Sequence, residues 1–114
     1  MTPPLLVSNL VNIRYLSGIS MTAGVMLLTP KKDYLFVDER YLEKARKEVR
    51  RSVRVTHIEE LEKTVKRYKR VRFEADDLTV ARLRRWKKRF RGVKLIPSEG
   101  MIEKDRKSTR LNSS

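Results

Sequence analysis

The chain has 114 residues, with 28 Lys and Arg against 14 Asp and Glu, for a formal charge of +14. That length holds one domain with a modest core rather than two, and the absence of Cys together with the single His57 excludes a disulfide scaffold, a thiolate zinc centre, a cysteine nucleophile and any site built on several imidazoles. No run approaches the roughly 20 apolar residues of a membrane span, and Met1-Thr2-Pro3-Pro4 lacks the charged start of a secretory signal.

Leu5-Leu6-Val7 is a short apolar run and reads as a buried strand. Ser8 or Asn9 can cap the helix that follows, with Leu10, Ile13 and Leu16 along it and Gly18 as its stop. Two apolar runs, 23–29 and 33–38, flank Pro30-Lys31-Lys32 and read as an antiparallel hairpin. Their near-continuous apolarity predicts a sheet covered on both faces. Asp38 is placed to cap a helix carrying Leu42, Ala45 and Val49. Val53 and Val55 then alternate with Ser52, Arg54 and Thr56, as in a half-buried strand.

Thr56-His57-Ile58-Glu59 has capping-box spacing, ahead of a helix face made by Ile58, Leu61, Val65 and Tyr68. Val71-Arg72-Phe73-Glu74 is a short strand. Asp76 or Asp77 is expected to cap the next helix, whose stripe is Val80, Leu83, Trp86 and Phe90 and whose end is Gly92. Val93-Lys94-Leu95-Ile96 is the last strand, and Pro97-Ser98-Glu99 opens a further helix. The whole is an α/β domain: a hairpin near the start, then strands linked by helices.

The last ten residues, 105–114, carry no apolar period and match in order the translation of a common sequencing adapter. They are expected to be a disordered read-through tail, leaving 1–104 as the native domain, with 25 bases and 13 acids for a net +12. Charge is uneven: residues 1–38 hold three bases and two acids, residues 39–104 hold 22 bases and 11 acids. The absence of Gln, with only three Asn among many Lys, Arg and Glu, is the bias of a thermophile's cytoplasmic protein.

There is no Gly-rich phosphate loop, no G-x-S-x-G, no H-E-x-x-H and no Cys/His cluster. Glu59-Glu60-Glu62 and Asp76-Asp77 read as charge at helix starts, where acids favour the dipole. His57 reads as a surface residue at the first of these helix starts. The most basic segment carries Arg82, Arg84, Arg85, Lys87, Lys88, Arg89 and Arg91 on one helix, which raises a nucleic-acid surface as an alternative. Trp86 and Phe90 fall on the core stripe of that helix, so the charge has no exposed stacking platform, and nucleic acid is the disfavoured partner.

Asn12-Ile13-Arg14-Tyr15-Leu16-Ser17-Gly18, then Ala23-Gly24-Val25, then the run from Tyr34 through Asp38-Glu39-Arg40-Tyr41 to Ala45, resemble the N-terminal domain of the creatinase, prolidase and Xaa-Pro aminopeptidase family. Phe73-Glu74-Ala75-Asp76, the 78–90 helix and Pro97-Ser98-Glu99-Gly100 are similar to it too, so the likeness spans nearly all of 5–104. It implies a mixed sheet of about six strands flanked by helices. It further implies a full-length cytoplasmic hydrolase, a two-metal peptidase acting on proline-containing peptides as a homodimer.

The two divalent metals of that family sit in a separate C-terminal catalytic domain, on two Asp, one His and two Glu, and no cofactor is expected in this chain. As a fragment, the chain is therefore expected to be non-catalytic, with the C-terminal domain of the same chain as its partner. Its implied part is to shape the substrate entrance and to help build the dimer. The resemblance also carries a substrate-reaching Arg onto Arg40. A guanidinium suits a carboxylate or a peptide carbonyl. In the competing reading Asp38, Arg40 and Tyr41 fix a strand-to-helix corner by capping, ion pairing and packing. For Asn12, Arg14 and Tyr15 packing or capping is the favoured reading. A third reading is a stand-alone regulatory or dimerisation domain.

Overall fold

The computed structural model describes residues 2–112, with side chains through Arg106. Six strands form one sheet: β1 (Leu5–Val7), β2 (Val25–Leu28), β3 (Asp33–Val37), β4 (Val53–His57), β5 (Arg70–Glu74) and β6 (Lys94–Ser98). Their order across the sheet is β4-β3-β2-β1-β5-β6. β2 runs antiparallel to both its neighbours, β1 and β3, while the pairs β3–β4, β1–β5 and β5–β6 are parallel. Five strands therefore point the same way and β2 alone is reversed. The α/β architecture and the six-stranded mixed sheet agree with the sequence reading.

Helices α1 (Leu10–Ser17), α2 (Glu39–Glu48), α3 (Leu61–Val65), α4 (Val80–Arg89) and α5 (Met101–Asn112) follow β1, β3, β4, β5 and β6, a 3-10 turn at 58–60 preceding α3. Strand alternation divides the core in two. Leu5, Val7, Met26, Leu35, Val37 and Val53 face α1, α2 and α5 through Ile13, Ala45 and Ile102. Leu6, Val25, Leu27, Phe36, Val71 and Phe73 face the other way, against Leu61, Val65, Trp86 and Phe90 of the α3–α4 layer. Both faces are covered, which is why the central strands read as continuous apolar runs.

Local stops and starts follow ordinary capping chemistry. Asn9 caps α1, its side chain accepting from the amides of Val11 and Asn12, and Gly18 ends that helix at φ 84°, in the left-handed region glycine adopts without strain. Asp38 caps α2 by accepting from the Arg40 amide.

Three helix starts differ from the sequence expectation, each because a neighbouring strand or turn claims the expected cap. Thr56 is held in β4 opposite Phe36, so His57 takes the capping role, its Nδ1 accepting from the Glu59 amide at 3.1 Å. Asp76 and Asp77 lie in a turn closed by the Asp77 amide on the Glu74 carbonyl, and Thr79 caps α4 instead, accepting from the Arg82 amide at 3.1 Å. Ser98 pairs with Glu74 inside the sheet, which delays α5 until Met101, after Gly100 at φ 62°.

The segment read from the sequence as a tail begins inside α5, which runs from Met101 to Asn112. No Gly or Pro interrupts it after Gly100, Ile102 is buried, and Tyr15 donates its hydroxyl to Asp105 at 2.8 Å. Residues 113 and 114 lie outside the described residues.

Candidate functional site

With five parallel strands, each followed by a helix, all five helices depart from one edge of the sheet, its carboxyl edge. β1 and β5 are adjacent and parallel, yet α1 packs on one face and α4 on the other. That divergence opens a crevice, the place where open α/β sheets bind ligands. The crevice here is partly filled by the protein's own polar groups.

At its centre lies Glu74, the last residue of β5 and only 7% exposed. Its Oε1 accepts from the backbone amides of Ser8 at 2.7 Å and Asn9 at 2.8 Å, and its Oε2 accepts from Asn12 Nδ2 at 2.6 Å. Asn12 is fully buried and donates also to Glu103 Oε1 at 2.7 Å. Two carboxylates fix which way the Asn12 amide points, and its Oδ1 is left without a partner. Ser8 Oγ reaches Asp77 at 2.5 Å. One buried carboxylate thus binds the ends of β1 and β5 and, through Asn12, the first turn of α5. Beside this network is a cleft of about 340 Å³ whose wall includes Asn9, Asp76, Asp77, Met101 and Glu103.

The second group sits at the end of β3. Arg40 is folded back on Asp38, with Nη2 at 2.8 Å and Nε at 3.2 Å from Oδ2. Its side chain is 70% exposed, and its guanidinium carbon lies 5.4 Å from the centre of the Tyr41 ring. The Tyr41 hydroxyl is bonded to Thr22 Oγ1. His57 Nε2 meets Glu39 Oε1 at 3.1 Å, and since Nδ1 accepts from the Glu59 amide, Nε2 carries the proton in the neutral ring.

The hydrogen bond from Arg40 holds the Asp38 carboxyl below its ordinary value. Asp38 therefore ionises more readily in the folded chain. The pair contributes above the ordinary carboxylate range, and its contribution fades as pH falls through the lowered value. Thermal midpoints recorded between about pH 2 and 6 should converge for the wild type and Arg40→Met at the acid end. A gap that is constant with pH would rule the pair out as its source.

The structure brings Asp38, Arg40 and Tyr41 together at the end of β3, while Asn12 belongs to the separate Glu74 network, and Arg14 and Tyr15 lie farther along α1, where Arg50 Nη2 donates to the Tyr15 carbonyl at 3.4 Å. Sequence reasoning gave Glu74 no role of its own. Its signal was an acid ending an apolar strand, with Ser8-Asn9 ending another. Among the described residues, no group of three His, Asp or Glu side chains is placed to hold a metal ion. A dinuclear metal centre does not fit these residues, and none of their chemistry runs through one. No helix among the described residues is long and apolar enough to cross a membrane.

Comparison with known proteins agrees with this geometry. A search of curated proteins gave no match. An Xaa-Pro aminopeptidase from Streptococcus pyogenes superposes with a TM-score of 0.80 at 27% identity, over 89% of this chain and 81% of that one. An Xaa-Pro dipeptidase from Bacillus anthracis gives 0.83 at 30% identity, over 90% of this chain, which spans only 30% of its length. The N-terminal domain of the cytoplasmic peptidase PepQ from Mycobacterium tuberculosis H37Rv shares the fold, with a TM-score of 0.77 at 24% identity over 89% of this chain and 85% of that one. The model of the creatinase/prolidase N-terminal domain matches residues 4–108, so the chain belongs to that family.

Proposed function

We propose that the chain is the non-catalytic N-terminal domain of an Xaa-Pro aminopeptidase- or dipeptidase-like hydrolase, where it helps form the substrate entrance and the dimer. The observation that carries this reading is the family match across 4–108, joined to a carboxyl edge whose polar residues are spent on holding strands and helices together. The two divalent metals, the cytoplasmic setting and the proline-containing peptides belong to the same reading, through a C-terminal catalytic domain. Arg40 is the residue assigned to substrate. It is exposed, and its partner Asp38 is a neighbour it can leave without unpacking the core.

A chimera tests this. Residues 1–104 of this chain replace the equivalent domain of the Bacillus anthracis dipeptidase, and hydrolysis of an Xaa-Pro dipeptide is followed. Activity should be retained, and Arg40→Ala in the chimera should raise KM about tenfold, the scale of one exposed charge-assisted hydrogen bond. An inactive chimera that is folded and metal-loaded would refute the reading. An unchanged KM would leave Arg40 a corner residue only.

A further inference from the structure

On the side of the sheet covered by α3 and α4, a cleft of about 400 Å³ opens between α4 and the 3-10 turn at 58–60. Small-ligand sites run from about 300 to 1,000 Å³. The apolar lining of the cleft includes Ala23, Val25, Ile58 and Trp86. Its charged lining is Asp38 together with Arg82, Arg85 and Arg89. Asp38 is already held by Arg40, which is not part of the lining.

The cations of α4 fall into two groups by the helical period. Arg82, Arg85 and Arg89 are three and four apart, so they form one line, beside the core stripe of Leu83, Trp86 and Phe90. Arg84, Lys87 and Lys88 fall on the other side of the helix, exposed and outside the cleft. The helix dipole accounts for Lys87, Lys88 and Arg89 in the last turn. It disfavours Arg82, the third residue of a helix whose first turn holds no acid, and it gives no support to Arg85 at mid-helix. Arg85 also stands between Arg82 and Arg89 at the spacings where like charges repel. Among the described residues, none of the three guanidiniums meets a carboxylate. Arg82 and Arg89 lie over the rings of Trp86 and Phe90, while the Arg85 side chain makes no hydrogen bond, ion pair or ring contact. Neither packing nor the dipole calls for Arg85.

We propose that this cleft binds a small phosphate monoester with an apolar body, the phosphate on Arg82, Arg85 and Arg89 and the body against Val25, Ile58 and Trp86. Three cations line the cleft against one carboxylate that is already paired, and that surplus matches a dianion. A phosphate monoester carries about −1.5 to −2 near neutral pH. Its oxygens suit the fixed fork of a guanidinium, which can bind two of them at once. The recessed apolar lining adds a preference for a ligand with a body over a bare ion. The site needs no catalytic domain, so the inference is independent of the peptidase reading.

The test is a nuclear magnetic resonance titration of the whole ¹⁵N-labelled chain, at about pH 7.5 and ~0.15 M salt, where exposed charges are largely screened. The probes are phenyl phosphate, inorganic phosphate and benzoate. Phenyl phosphate should move the amides of Gly24, Ile58 and Arg85 and the indole N–H of Trp86, and the shifts should saturate. It should bind about tenfold more tightly than inorganic phosphate, which lacks the ring, and than benzoate, which lacks the second charge. Arg85→Gln should weaken phenyl phosphate about tenfold, the scale of a lost charge-assisted hydrogen bond, without lowering the thermal midpoint. A role in holding the fold would lower that midpoint instead. Gln at Arg84, Lys87 and Lys88 together removes more charge from the same helix and should change the affinity by less than about twofold. Shifts that do not saturate or that fall outside the cleft, equal binding of phenyl phosphate and either other probe, or equal losses from the two variants would each overturn the proposal.

Discussion

Glu74→Leu is expected to lower stability by about 3–5 kcal/mol, the scale for breaking a buried charged network by removing one member. The loss does not come from the carboxylate alone. Leucine leaves the Ser8 and Asn9 amides facing an apolar group, and Asn12 loses one of its two acceptors. Each buried donor left unpaired costs about 1–3 kcal/mol, and water entering from the adjacent cleft offsets part of that. A domain of this size holds about 5–15 kcal/mol in all, so the variant sits near the edge of folding. Glu74→Gln should fall in between. It keeps an acceptor for the two amides but turns an NH₂ toward Asn12 Nδ2, and the unpartnered Asn12 Oδ1 can answer only if that amide flips and abandons Glu103. Urea unfolding with an unchanged slope reads the difference. A loss below about 1 kcal/mol for Glu74→Leu would refute the account, because one ordinary hydrogen bond would then cover it.

Phe36→Ala should cost a similar amount, about 3–5 kcal/mol, by a different route. Phe36 is completely buried on β3, between Val25 of β2 and Thr56 of β4, in the cluster that includes Leu61, Val65, Trp86 and Phe90. Its ring stacks on Tyr34, with centroids 6.0 Å apart and planes at 23°. Truncation leaves a cavity in the middle of the sheet, where strands held by ladder bonds on both sides cannot close around it. Phe36→Leu keeps most of the volume and should cost less than half as much. Equal midpoints for the Ala and Leu variants in urea would show that the site collapses freely, contrary to this packing.

Much of this fold was legible in the order of residues. Leu5-Leu6-Val7, the two runs around Pro30 and the Leu83-Trp86-Phe90 stripe each became the element their period predicted, because burial on one face or two imposes that period, whereas Val80, expected on the same stripe, is exposed at the start of α4. Caps were readable where no residue distant in sequence claimed the side chain. Asn9 and Asp38 cap as expected, while Asp77 is taken by Ser8 and Thr56 by the β3–β4 ladder. Such competition is tertiary, and spacing along the chain does not carry it.

The Glu74 network was illegible for the same reason. It joins residues 62 to 66 positions apart, and each of its members looks alone like a turn residue. Resemblance pointed at Asn12 without saying what it does, and the structure supplies a mechanical role. Arg40 shows the limit on the other side, since its contact with Asp38 is compatible with a corner residue and with a side chain waiting for substrate.

The two open sides of the sheet decide how copies of this domain can meet. β6 ends the sheet on one side with Pro97, which has no amide hydrogen to offer an incoming strand, and with the exposed Lys94. β4 ends it on the other with exposed Arg54, following Arg50 and Arg51. An extended segment arriving at either side meets a missing donor or a positive charge, the devices by which natural sheets resist runaway aggregation. Crowded copies are thereby steered away from fibrous stacking, and any ordered assembly has to be made from helix surfaces and loops.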